Sequence, residues 1–179
     1  MNREVNQDPV FSRLVEVERI PATGSHERIE ANAEECAALA KLLQLPAIES
    51  LKAELHITPW RKQGFKIAGR FTANVRQICV VTLDPFDSIV EDDIERYYLR
   101  GNLPGSGDQV VTIEPLDDED TEAFEGNTID VGELVRESLT LALDPYPRKP
   151  GVVFSGAEPE TGDGKANPFA VLEQMRKPN

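Results

Sequence analysis

The residues best suited to binding chemistry are cations in a stretch without acids. No Asp or Glu occurs between Glu54 and Asp84, and that interval holds Trp60, Arg61, Lys62, Lys66, Arg70 and Arg76. Guanidinium and ammonium groups spaced along an extended segment can each meet a phosphate, and an indole can stack on an unpaired base. Five such cations meeting single-stranded RNA would give a log-log salt slope of about −3.5. The same charges also suit a plainer role, in which a basic strand face pairs with a neighbouring acidic strand, because charge runs usually stay solvated or locally paired.

A second group has the opposite sign. Between Arg100 and Arg136 there is no base, and Asp117, Asp118, Glu119 and Asp120 crowd the acidic loop 114–127. Such a loop complements a basic protein. Near the C-terminus Phe169, Leu172 and Met175 recur at helical spacing, the arrangement by which a short amphipathic helix anchors in a groove. Together these two features describe a protein-binding adaptor for a basic partner.

Catalytic and metal signatures are missing from the sequence. It has no glycine-rich phosphate loop, no nucleophile beside a base, no HExxH and no carboxylate pair at defined spacing. Asp84, Asp87, Asp92 and Asp93 read as turn and surface residues. Cys36 and Cys79 are far apart and in apolar surroundings, the setting of buried free thiols. His26 and His56 have no neighbours at ligand spacing, so no metal or cofactor is expected.

Charge and length limit the remaining possibilities. The 179 residues suffice for one full core with tails. A net charge of −13 excludes attraction of nucleic acid or anionic membrane by the bulk field, so any RNA contact has to be local. No apolar run approaches the roughly 20 residues of a membrane span, and the N-terminus lacks an apolar signal core, so a cytoplasmic protein is expected.

The elements that position these groups follow from periodicity. Phe65, Ile67, Gly69, Phe71, Ala73 and Val75 alternate with Lys66, Ala68, Arg70, Thr72, Asn74 and Arg76, giving one core face and one basic face. The phase slips near Gln77, where both faces turn apolar, so two strand segments meeting at a bend are expected before Asp84 and Pro85 end the run. Residues 51–57 alternate cleanly as a preceding strand, joined through the turn at Trp60 and Gly64 as an antiparallel hairpin. Shorter strands are expected over 14–20, 94–99 and 110–113. Two helices are expected. One covers 33–44, with a capping box from Asn32 to Glu35, and the other covers 131–143, capped by Asp130 and stapled by Ile129 and Leu134. The fold class is therefore α+β, a mainly antiparallel twisted sheet packed by two helices. Residues 1–12 read as a flexible N-terminus, 13–153 as one domain, 154–167 as a disordered linker and 168–177 as a short helix.

Several of these segments together resemble one family. Ala68-Gly69-Arg70-Phe71, then Gln77-Ile78-Cys79-Val80-Val81-Thr82-Leu83-Asp84-Pro85-Phe86, then Ile129-Asp130-Val131-Gly132-Glu133-Leu134 and Leu143-Asp144-Pro145-Tyr146-Pro147 are similar in order and spacing to the YceD (DUF177) family. The likeness runs over about 14–150, and Asn167-Pro168-Phe169 resembles the family's tail. It implies a non-enzymatic, cytoplasmic factor for accumulation of large-subunit rRNA, with that rRNA or its precursor as a partner. One departure stands out. Where many members carry C-x-R-C-L, this chain has Cys79, then Val81 for the arginine and Thr82 for the second cysteine, so a metal role has too few ligands here.

Overall fold

The computed structural model describes residues 10–61, 64–101 and 121–153. The chain divides into two units, Met1–Lys149 and Pro150–Asn179. Every strand and helix below belongs to the first. The expected strand at 110–113, the acidic residues Asp117 to Asp120, the linker and the C-terminal helix lie outside the described residues.

The architecture is α+β, with a mostly antiparallel five-stranded sheet and two helices. In chain order the elements are β1 (Leu14–Glu16), a 3-10 turn (Val17–Arg19), β2 (Ser25–Glu30), α1 (Ala33–Leu42), β3 (Ala47–Trp60), β4 (Gly64–Ile78), β5 (Pro85–Arg100), β6 (Thr121–Phe124), β7 (Thr128–Asp130) and α2 (Val131–Ala142). The large sheet runs β2-β3-β4-β5-β6, with β6 parallel to β5 and the other pairs antiparallel. A small antiparallel ribbon joins β1 to β7.

The period-two pattern becomes the core. Leu51, Ala53, Leu55 and Ile57 of β3 and Ile67, Phe71, Ala73 and Val75 of β4 are buried, as are Ile94 and Tyr98 of β5. Against them lie Cys36, Leu39 and Ala40 of α1, which packs on β3, and Val131, Leu134, Val135 and Leu139 of α2, which packs on β5 and β4. Both helices thus cover the face that alternation marked as apolar. The capping box at Asn32 and Glu35 is present, with Asn32 Oδ1 accepting from the Glu35 amide at 2.9 Å and Glu35 Oε2 accepting from the Asn32 amide at 2.8 Å.

Four differences from the sequence reading have physical causes. β4 is one unbroken strand, and the register shift falls instead in β3, between Ile48 and Ser50. The apolar residues after Ile78 form a tight turn rather than a second segment, because Cys79 N donates to Asp84 O and Leu83 N to Cys79 O, both at 2.9 Å. Leu83 takes φ +61 there and is largely exposed. β5 begins at Pro85, well before the expected 94–99, because polar Ser88, Asp92 and Arg96 occupy inner positions beside Phe86 and Val90 while apolar Ile89 points outward, which hides the alternation. β2 is a mostly polar edge strand with only Ile29 buried, too weak a signal to read.

The described residues also extend into the stretch 1–12. Phe11 is buried at 1% exposure. Asp130 explains why. Its Oδ1 accepts from Gly132 N and Glu133 N as the helix cap and from Arg13 N at 2.8 Å, while Oδ2 accepts from the Ser12 hydroxyl at 2.6 Å. Gly132 makes room for this strap, since a Cβ there would sit 2.7 Å from Arg13 N and 2.9 Å from Phe11 O. Arg13 continues the clasp to α1, donating to both Glu35 oxygens at 2.7 and 2.8 Å. Its guanidinium holds the Glu35 carboxyl below the usual carboxylate range.

Candidate functional site

The face of the sheet opposite the helices carries the predicted cations. On β4, Lys66, Arg70 and Arg76 share that face because they occupy one alternation phase, and register sets them against Thr58, Glu54 and Ala47 of β3 and Tyr97, Asp93 and Asp87 of β5. Each cation meets a carboxylate of β5. Lys66 Nζ is 2.9 Å from Glu95, Arg70 Nε is 2.8 Å from Asp93, and Arg76 Nε is 2.7 Å from Asp87, with Glu49 a further 3.8 Å contact. The ladder extends to the other edge, where Arg28 pairs with Glu54 at 3.1 Å and Lys52 with Glu30 at 2.9 Å.

These contacts leave their mark on titration. Hydrogen bonds from Arg76, Arg70 and Lys66 hold Asp87, Asp93 and Glu95 below their ordinary values, so all three stay ionised at neutral pH and keep the cations occupied. Among the two charge arrangements that the sequence allows, pairing with an acidic neighbouring strand is the one present in the sheet. Each exposed pair contributes little to stability, about 0 to 1 kcal/mol. Their larger effect is on what the face offers a partner.

Trp60 and Arg61 lie at the hairpin end of the same sheet. The Arg61 guanidinium stacks 4.0 Å over the Trp60 ring, Trp60 tilts against Tyr97 at 4.8 Å, and Lys66 sits 5.1 Å over Tyr97. Arg61 takes φ +52 in the turn. Lys62, the remaining predicted cation, lies outside the described residues. A cleft of about 300 Å³ beside this end is lined by Val17, Ile20, Pro59 and Phe65 together with Arg61, Arg100 and Glu18. The structure thus brings Trp60, Arg61 and Lys66 together at one end and spaces Arg70 and Arg76 along the strand.

What sequence reading missed was the partner strand. Asp87, Asp93 and Glu95 sit an even number of residues apart, so they fall on one face of any extended segment. The turn over 79–84 makes that segment the antiparallel neighbour of β4. Both signals were available, masked by the low apolar content of the segment.

Cys79 occupies a separate niche at the other end of β4. It has no solvent exposure, yet it stands outside the main core, under a thin cover of backbone from the turn and from the exit of α2. Val80 N donates to Pro147 O at 2.9 Å and pins the two together. The Lys149 amide, the Thr82 hydroxyl and the Thr82 amide point at the sulfur and pull its pKa down to about 6. Thr82 therefore turns its hydroxyl to the thiol. No group of three or more potential metal ligands occurs among the described residues. Nor is any helix among them long and apolar enough to cross a membrane.

A family model described as "Large ribosomal RNA subunit accumulation protein YceD" matches residues 67–176, more than half of the chain. The chain belongs to the YceD family. No curated protein and no solved structure matches it. The YceD match begins within β4, later than the resemblance from residue 14, so Trp60, Arg61 and Lys66 precede the matched region while Arg70, Arg76 and the whole of β5 fall inside it. The YceD description ties the chain to accumulation of large-subunit rRNA.

Proposed function

We propose that this YceD-family protein supports large-subunit rRNA accumulation without catalysis, in the cytoplasm, by holding a basic ribosomal protein or assembly factor. One observation carries this reading. Lys66, Arg70 and Arg76, the cations best placed for phosphates, already hold Glu95, Asp93 and Asp87. On a chain of net charge −13, the surface left over favours a cationic partner. Asp117, Asp118, Glu119 and Asp120 strengthen the acidic balance by sequence, and the apolar set Phe169, Leu172 and Met175 supplies a second contact.

Affinity capture of the full chain after crosslinking, with and without ribonuclease, tests it. A basic large-subunit protein retained after ribonuclease is the expected result. Recovery of large-subunit rRNA alone, with no protein left once the RNA is digested, would overturn it.

A second reading, direct contact with the rRNA or its precursor, is favoured by the stacked Trp60 and Arg61 beside Lys66. It requires phosphates to displace the β5 carboxylates from Lys66, Arg70 and Arg76. Such binding would show a single-strand salt slope of about −2 when those three cations take part.

A further inference from the structure

We infer that the outer edge of β5 is a docking strand for a lysine- or arginine-rich extended segment of a protein, added in register as a further strand; this rests on the adaptor reading above and names its surface. β4 pairs with β5 from Ile78↔Pro85 to Gly64↔Leu99, whereas β6 pairs with it only from Tyr97 to Arg100. Among the described residues, 85–96 thus have no partner on the side away from β4. At roughly 3.3 Å per residue, that edge is about 40 Å long.

Two hydrogen bonds give the direction of its amides. Gly101 N donates to Phe124 O at 3.1 Å, on the β6 side, and Asp93 N donates at 2.8 Å to Asp92 Oδ1 rather than into β4. In an antiparallel ladder successive residues point to opposite neighbours, so the amides and carbonyls of Asp87, Ile89 and Glu91 also face the open side. A row of unpaired main-chain groups is a template for strand addition.

Charge selects the occupant. No base lies between Arg76 and Arg96, while Asp87, Glu91, Asp92, Asp93 and Glu95 lie along the edge strand. Glu91 and Asp92 form no salt bridge among the described residues, and Ile89 between them and Asp87 is 68% exposed. Acidic residues repel a second copy of this edge, which guards against self-association, and attract a strand that alternates cations with small apolar residues. Nucleic acid is excluded as the occupant, because phosphates would meet carboxylates.

The test uses the full chain and a synthetic peptide of alternating lysine and valine, beside a peptide of equal charge in which proline interrupts the strand. The alternating peptide should bind at least tenfold more tightly than the proline control and slow amide exchange at residues 87–93. Ile89→Pro, which removes an open-side amide without touching the β4 ladder, should weaken binding at least tenfold. Glu91→Lys, which leaves the backbone intact, should do the same. Equal binding of both peptides, protection elsewhere in the chain, or Glu91→Lys binding as the unaltered protein does would each overturn the proposal. Edge variants that still retain a basic large-subunit protein in the capture experiment would sink the edge and leave the adaptor reading standing. A chain that binds the peptide on this edge yet retains no such protein would do the reverse.

Discussion

Arg70 and Asp93 face each other across adjacent strands, and their side chains meet at 2.8 Å, Nε to Oδ1. The same relation repeats at Arg76 with Asp87, and two residues off register at Lys66 with Glu95. Any phosphate arriving at this face competes with a carboxylate that is covalently part of the sheet.

Removing those carboxylates should therefore create RNA affinity. The triple change Asp87→Asn, Asp93→Asn and Glu95→Gln frees three cations and removes three negative charges. We expect a gain of at least tenfold for single-stranded RNA in filter binding at low salt, with a log-log salt slope steeper by about 2. An unchanged affinity would mean that the face contributes nothing to RNA contact even when its cations are released.

Gly69 and Gly132 stand where backbone passes close. A Cβ on Gly69 would collide with the main-chain carbonyl of Glu54 on β3 and come within 2.9 Å of Leu55 Cα. Backbone cannot swing aside as a side chain would, so Gly69→Ala should cost about 1 to 3 kcal/mol in urea unfolding. At Gly132, alanine should lose stability even though it favours a helix by about 1 kcal/mol in general, because its Cβ would press on the strap at Arg13 and Phe11.

Asp130 should be worth more than a helix cap. A lone cap contributes about 0.5 to 2 kcal/mol, but this carboxylate also accepts from Ser12 and Arg13. Asp130→Ala is expected to lose about 2 to 4 kcal/mol once those two hydrogen bonds are included. Ser12→Ala should lose only the share of one bond, about 1 kcal/mol. Chemical denaturation of the two variants separates the cap from the clasp.

Cys79 makes a pH-dependent contribution whose sign follows from its environment. Its folded pKa is drawn down from 9.0 to about 6, so the thiolate is the form that the fold favours. The stabilisation is fully present above the ordinary value of 9.0, shrinks as pH falls, and is gone below about 6. Relative to Cys79→Ala, the unaltered chain should gain stability steadily between those limits. A difference that stays flat across the range, followed by thermal unfolding, would show that the thiol does not ionise in the fold. Thr82→Val should flatten the slope by removing one donor.

The sequence disclosed the parts of this fold that rest on strong periodicity and capping. The alternation of β4 and the central part of β3, the stripes of α1 and α2, and the caps at Asn32 and Asp130 all appear where residue spacing places them. β5 escaped because polar Ser88, Asp92 and Arg96 share its inner face with the apolar residues while Ile89 lies on the outer face, which lowers the contrast on which alternation depends. The 79–84 turn misled because its exposed Val80 and Leu83 imitate a buried strand, and what fixes it is a hydrogen bond to Pro147, remote in sequence. Of the candidate site, the shared face of Lys66, Arg70 and Arg76 was legible from spacing alone. Their carboxylate partners were not, since pairing across strands depends on which strand lies alongside.

The bond from Ser12 to Asp130 also sets an order of events during synthesis. The strap over 11–13 has nothing to fasten to until β7 and the first turn of α2 have followed it, 118 residues on from Ser12 to Asp130. Closing so distant a contact is slow, because the intervening chain must first be gathered in. Residues 11–13 therefore stay untethered during synthesis until α2 begins, and only then is the α+β body sealed.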